Sequence, residues 1–123
     1  MDFLSVWLLF VASLRLLSVF IGYLKPSTFR EKLFARSPHS VSDLYGRTFA
    51  IWTSVTCILC LLLAFDVNNW SLLVATLASF ILALLHFLSE FLHYKTMTFG
   101  NLISPGLVAS ISIVWLTSRL ADL

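Results

Sequence analysis

Residues 71–94 read SLLVATLASFILALLHFLSEFLHY, and this stretch decides the fold. It is long enough, as a helix, to cross a bilayer, which takes about 20 apolar residues. Its polar side chains are few and spaced. His86, Glu90 and His93 follow one another at steps of four and three, which places them on one helical face. A carboxylate and two imidazoles in an apolar helix act as metal ligands, as a proton relay, or as polar glue between helices, and the rest of the chain must decide.

Three further stretches resemble the first. Counting outward, spans are expected over residues 3–24, 44–65, 71–94 and 102–120, within a single membrane domain covering 1–123. The chain is 59% hydrophobic and 11% charged, with a mean hydropathy of +0.95. Average soluble domains are nearer 45–50% apolar. The expected fold class is therefore all-α, a four-span transmembrane bundle. Phe3 to Leu24 has no basic residues before it and is about twice the length of a signal-peptide core, so it reads as a retained span.

Between the first two spans lies KPSTFREKLFARSPHSVSD, residues 25–43. Within it STFREKLFAR suggests a short amphipathic turn of helix in the headgroup layer, with Phe29, Leu33 and Phe34 on one side. The second connection, DVNNW at 66–70, reads as a tight polar turn, and NWS at 69–71 matches a glycosylation sequon expected to stay unmodified so close to the membrane. Pro105 and Gly106 fall in the first turns of the fourth span, where proline is tolerated.

Lys25, Arg30, Lys32, Arg36 and Lys95 occupy the first and third loops. The excess of basic residues makes those loops, 25–43 and 95–101, cytosolic, and both termini lumenal. Depth then follows from the 1.5 Å rise per residue: Glu90 about 6 Å and Arg47 about 5 Å inside the cytosolic face, His86 about 12 Å and Arg15 about 13 Å. An ionisable residue at such depth is costly alone and faces a partner. Level for level, Arg47 pairs with Glu90, and Arg15 reaches Glu90 or His86.

Several classes fall away. A net charge of +2 gives no basic stripe for nucleic acid. Four scattered glycines make no phosphate loop. With three histidines in all, the repeated clusters of membrane di-iron enzymes are missing, and no metal or other cofactor is expected. A transporter path would need more than 123 residues unless the protein oligomerises. Cys57 and Cys60, in one apolar run, read as inert buried thiols rather than a redox pair. A satisfied interhelical polar network is the reading that remains in front.

LRLLSVFIGY (14–23), LYGRTFAIWTSVTCILC (44–60), ATLASFILALLHFLSEFLHYKT (75–96) and PGLVASISIVW (105–115) resemble the ergosterol biosynthetic protein 28 family. The resemblance covers nearly the whole chain. It implies a non-catalytic endoplasmic-reticulum membrane protein that tethers the sterol C-4 demethylation enzymes: the C-4 methyl oxidase, the 3-hydroxysteroid dehydrogenase/C-4 decarboxylase and the 3-ketoreductase. Arg47, Thr48, Trp52, His86, Glu90, Tyr94 and Thr96 match the family's pattern. Candidate structural or partner-contact residues are thus Arg15, Arg47, Trp52, His86, Glu90, His93 and Tyr94. Membrane lipid and a second copy of the chain join the enzymes as candidate partners. Two rival functions stay open, a small sterol- or lipid-binding membrane protein and a metal-dependent membrane enzyme.

Overall fold

The computed structural model describes residues 2–25, 27–28, 33–36, 39 and 42–123. Among the described residues four long helices follow in chain order: α1 Phe3–Leu24, α2 Asp43–Ala64, α3 Trp70–Leu92 and α4 Phe99–Ala121. All four are long and apolar enough to cross a membrane. The described residues contain no strand. The fold is the expected all-α, four-span architecture, and the chain is a multi-pass membrane protein.

Each helix starts where a short polar side chain satisfies a backbone N–H that the helix leaves open. Asp2 accepts from the Leu4 N–H, Ser42 from Tyr45, Asn69 from Leu72 and Thr98 from Asn101. At α4 the cap is reciprocal, because the Asn101 side chain accepts in turn from the Thr98 N–H. This box starts α4 at Phe99 rather than at the expected residue 102. Pro105 consequently sits inside the helix, where it removes one N–H from the ladder. α3 ends at Leu92, two residues before the expected boundary. There the His93 and Tyr94 N–H groups both fold back to the Ser89 carbonyl, and Lys95 turns the chain with φ 57°.

α1 packs most extensively on α2, α3 on α4, and the two hairpins join more sparsely through α2 and α3. Cross-links from α1 complete the bundle. The Trp7 indole N–H donates to Ser112 Oγ at 2.9 Å, and its ring stacks on Trp115 at 6.2 Å. Around it, Leu4, Leu8, Cys60, Leu63, Leu73, Phe80 and Leu116 form one buried cluster at the end that holds the N-terminus. Cys57 and Cys60 lie in this cluster. Cys57 Sγ donates to the Ala12 carbonyl at 3.4 Å.

A second cluster fills the opposite end: Phe34, Phe49, Ala83, Phe87, Met97 and Leu102. The amphipathic turn expected over 27–36 includes 29–32, which lie outside the described residues. Phe34 itself is buried in the bundle rather than facing the headgroup layer, because the ring edge-packs on Tyr45 at 5.7 Å. Small polar residues line the helix contacts and bond within their own helices, as Thr76 does to the Leu72 carbonyl and Ser79 to that of Thr76. Such residues let helix backbones approach closely without leaving a polar atom unmet in lipid. The outward faces are apolar, with Phe10, Phe20, Ile58, Leu82, Leu107 and Val114 exposed. On a soluble protein so continuous a surface would aggregate; here it meets acyl chains.

Candidate functional site

The two basic loops meet at one end of the bundle. The Arg36 N–H donates to the Thr96 carbonyl at 3.2 Å and its guanidinium to the Met97 carbonyl at 3.5 Å. The Ala35 N–H reaches Asn101 Oδ1 at 3.4 Å. Asn101 thus caps α4 and anchors the first loop with one oxygen. Met97, fully buried, plugs the junction from below.

The polar face of α3 divides three ways. His86 is half-buried and meets aromatic rings: Trp52 edge-on at 5.9 Å and Phe34 at 6.4 Å. Trp52 also packs edge-on against Phe49 at 5.4 Å. Glu90 turns toward the third loop, where its Oε2 accepts from Thr96 Oγ1 at 2.7 Å and its carbonyl from the Thr96 N–H at 2.8 Å. His93 lies past the helix end, exposed, with its ring against Tyr94 at 4.7 Å. Among the described residues, no three of His, Cys, Asp and Glu come close enough together to hold a metal ion. His93 leaves that face because the helix stops before it, while His86 and Glu90, both within α3, turn to different neighbours.

The expected Arg47–Glu90 pair does not form. Arg47 is exposed, and among the described residues the ion pair is Arg119 with Asp2, at the other end. Equal depth places two residues on one level, yet it leaves their rotation about the helix axes free. Arg15 likewise turns from Glu90 and His86 into its own hairpin. Its Nη1 donates to the Thr56 carbonyl at 3.1 Å and Cys60 Sγ at 3.4 Å, and the guanidinium lies 4.2 Å from the centroid of the Phe80 ring. Phe34, Met97 and Asn101 belong to the junction and were absent from the sequence candidates. The Thr98–Asn101 spacing was the one signal available for Asn101. Nothing local marks a loop phenylalanine as a core residue.

At the terminal end Arg119 gathers the N-terminus and the second loop. Its guanidinium donates to Asp2 Oδ2 at 2.7 Å and to Asn68 Oδ1 at 3.3 Å. The Arg119 hydrogen bond first, then that of the Leu4 N–H, hold the Asp2 carboxyl below its ordinary pKa. Asn69 caps α3 through Oδ1, and its Nδ2, the atom a glycan would take, donates to Asp66 at 3.2 Å.

Comparison with known proteins finds relatives over most of the chain. A family model described as Erg28 like protein matches residues 4–114. Ergosterol biosynthetic protein 28 of Arabidopsis thaliana is 47% identical over 116 residues, spanning 94% of this chain and 88% of the relative. The Homo sapiens homolog is 37% identical, over 93% of this chain and 82% of its own length. The Saccharomyces cerevisiae protein is 29% identical, over 93% and 78%. No solved structure matches. A family model that matches most of the chain and reaches into all four helices, together with relatives of this identity and coverage, establishes that the chain belongs to the Erg28 like protein family.

Proposed function

We propose that residues 1–123 act as one membrane domain of the endoplasmic reticulum, a non-catalytic scaffold of sterol biosynthesis. Its partners are the sterol C-4 demethylation enzymes: the C-4 methyl oxidase, the 3-hydroxysteroid dehydrogenase/C-4 decarboxylase and the 3-ketoreductase. The relatives' shared name, ergosterol biosynthetic protein 28, supports the pathway. One observation carries the scaffold reading: the two ionisable side chains within α3 are engaged in architecture. His86 serves an aromatic cluster and Glu90 ties a loop, so neither stands poised as an acid or base toward a common point.

Among the described residues exposed at the loop end are Arg47, His93, Tyr94 and Lys95, basic and aromatic side chains on the rim of the bundle. We place this rim at the cytosolic face, with both termini lumenal, following the distribution of lysine and arginine. Held on one platform, enzymes that act in sequence experience effective concentrations in the mM range, and an intermediate passes on before it diffuses away.

The test is co-purification. The tagged full chain, extracted from microsomes in mild detergent, is expected to retain all three enzymes above the level retained by an unrelated four-span protein. Retention equal to the control would refute the scaffold.

A further inference from the structure

Between the helices a half-open cavity of about 380 Å³ runs from the level of Arg15 to Thr28, Leu33, Gly100 and Asn101 at the loop end. Ligand pockets run from about 300 to 1,000 Å³. The wall is mostly apolar, built from Trp52, Phe80 and Phe87 among others, with Thr53 and Ser104 adding hydroxyls and Arg15 a guanidinium.

Arg15 has five N–H donors and stays charged at any accessible pH. Its contacts are a carbonyl, a thiol and the face of Phe80, all neutral. Among the described residues no carboxylate lies within ion-pair distance of it. A cation within the hydrocarbon layer calls for an anion, and the guanidinium fork fits a carboxylate with two parallel hydrogen bonds. Arg15 stands nine residues from the end of α1 at Leu24, about 13 Å below the headgroups at 1.5 Å per residue. A phospholipid carries its phosphate in the headgroup layer, and its two chains exceed the cavity. A carboxylate is the compact anion that an apolar body can carry to this depth.

We propose that the cavity binds one carboxylate-bearing amphiphile, its apolar body against Trp52, Phe80 and Phe87 and its carboxylate on Arg15. This activity stands apart from tethering and requires no partner, so the protein alone tests it.

The purified full chain in detergent is titrated with cis-parinaric acid, a fluorescent fatty acid, and with the corresponding alcohol. Saturable binding of the acid is expected, with the alcohol weaker by about tenfold or more, the usual effect of losing a charged hydrogen bond. Arg15→Gln should bring the acid down to the alcohol's affinity, whereas Arg15→Lys, which keeps the charge, should retain the preference. Ser104→Trp, which fills the cavity and leaves Arg15 in place, should weaken both ligands, with thermal unfolding confirming that each variant folds. Equal affinity for acid and alcohol, unchanged binding in Arg15→Gln or Ser104→Trp, or displacement of the acid by phosphatidylglycerol at the same mole fraction overturns the proposal.

Discussion

Trp52 of α2 and His86 of α3 meet edge to face, with ring centroids 5.9 Å apart and planes at 87°. The contact makes His86 a piece of aromatic packing, since Phe34 and Phe87 border the same ring. Aromatic pairs of this geometry contribute about 0.5–1.5 kcal/mol beyond the area they bury. His86→Phe should therefore preserve the protein's thermal midpoint and, on the scaffold proposal, the enzymes that co-purify, and His86→Ala should lower the midpoint. A phenylalanine variant that folds but loses the enzymes would show that the imidazole itself is read by a partner.

Glu90 works through Thr96 rather than through Arg47. Gln at position 90 keeps an acceptor for the Thr96 hydroxyl, so Glu90→Gln should fold nearly as well as the parent. Glu90→Ala and Thr96→Val each remove the 2.7 Å bond and should cost about 1.5–3 kcal/mol, the range for hydrogen bonds to charged groups. The double exchange Arg47→Glu with Glu90→Arg should bring no recovery over Glu90→Arg alone. Recovery of protein level by the exchange would reinstate the ion pair.

Lys95 turns the chain with φ 57°, a left-handed conformation that side chains resist. Glycine accepts it freely and valine worst of all. Chemical or thermal unfolding should show Lys95→Val less stable than the parent, with Lys95→Gly at or above it. A lower midpoint for the glycine variant would mean that the lysine chain itself contributes there.

Asp2 links stability to pH. Folding lowers its pKa below the ordinary 3.8, so the native state binds the proton less tightly than the unfolded chain does. The contribution is complete above that ordinary value and is lost as pH falls through the folded one. The thermal midpoint of the parent should exceed that of Asp2→Asn at about pH 6, and the gap should close toward about pH 2. A gap that is constant across this window would assign the effect of the substitution to the helix cap alone.

Orientation is checked by labelling. Cys57 and Cys60 are buried, so the parent chain gives little background. In sealed microsomes an impermeant thiol reagent should modify a cysteine placed by His39→Cys and spare one placed by Asn68→Cys. The opposite pattern would invert the bundle.

Hydropathy reported the four spans to within three residues at every end, because a run of apolar side chains is a one-dimensional property. Rotation about each axis is not. Arg47 and Glu90 share a depth, yet one faces outward and the other a loop; Arg15 shares a depth with His86 and turns instead to Thr56 and Cys60. The end of α3 was equally hidden, because the residue that breaks it is a lysine in a conformation usually marked by glycine. The burial of Phe34 depends on Tyr45 and His86, residues far along the chain, and a reading of loop composition places it among the headgroups. Asn101 was within reach, since a threonine three residues ahead of it signals a cap.

The shelter of Arg15 lies almost wholly within the first hairpin, in the Thr56 carbonyl and the Cys60 thiol. Chains emerge from the ribosome N-terminus first. Once α2 has entered the bilayer, the guanidinium has both of its hydrogen-bond acceptors at hand before α3 and α4 join the bundle. Only the Phe80 ring arrives later. N-terminus-first insertion therefore lets this side chain find its hydrogen-bond acceptors within the first hairpin, where α1 packs most extensively on α2.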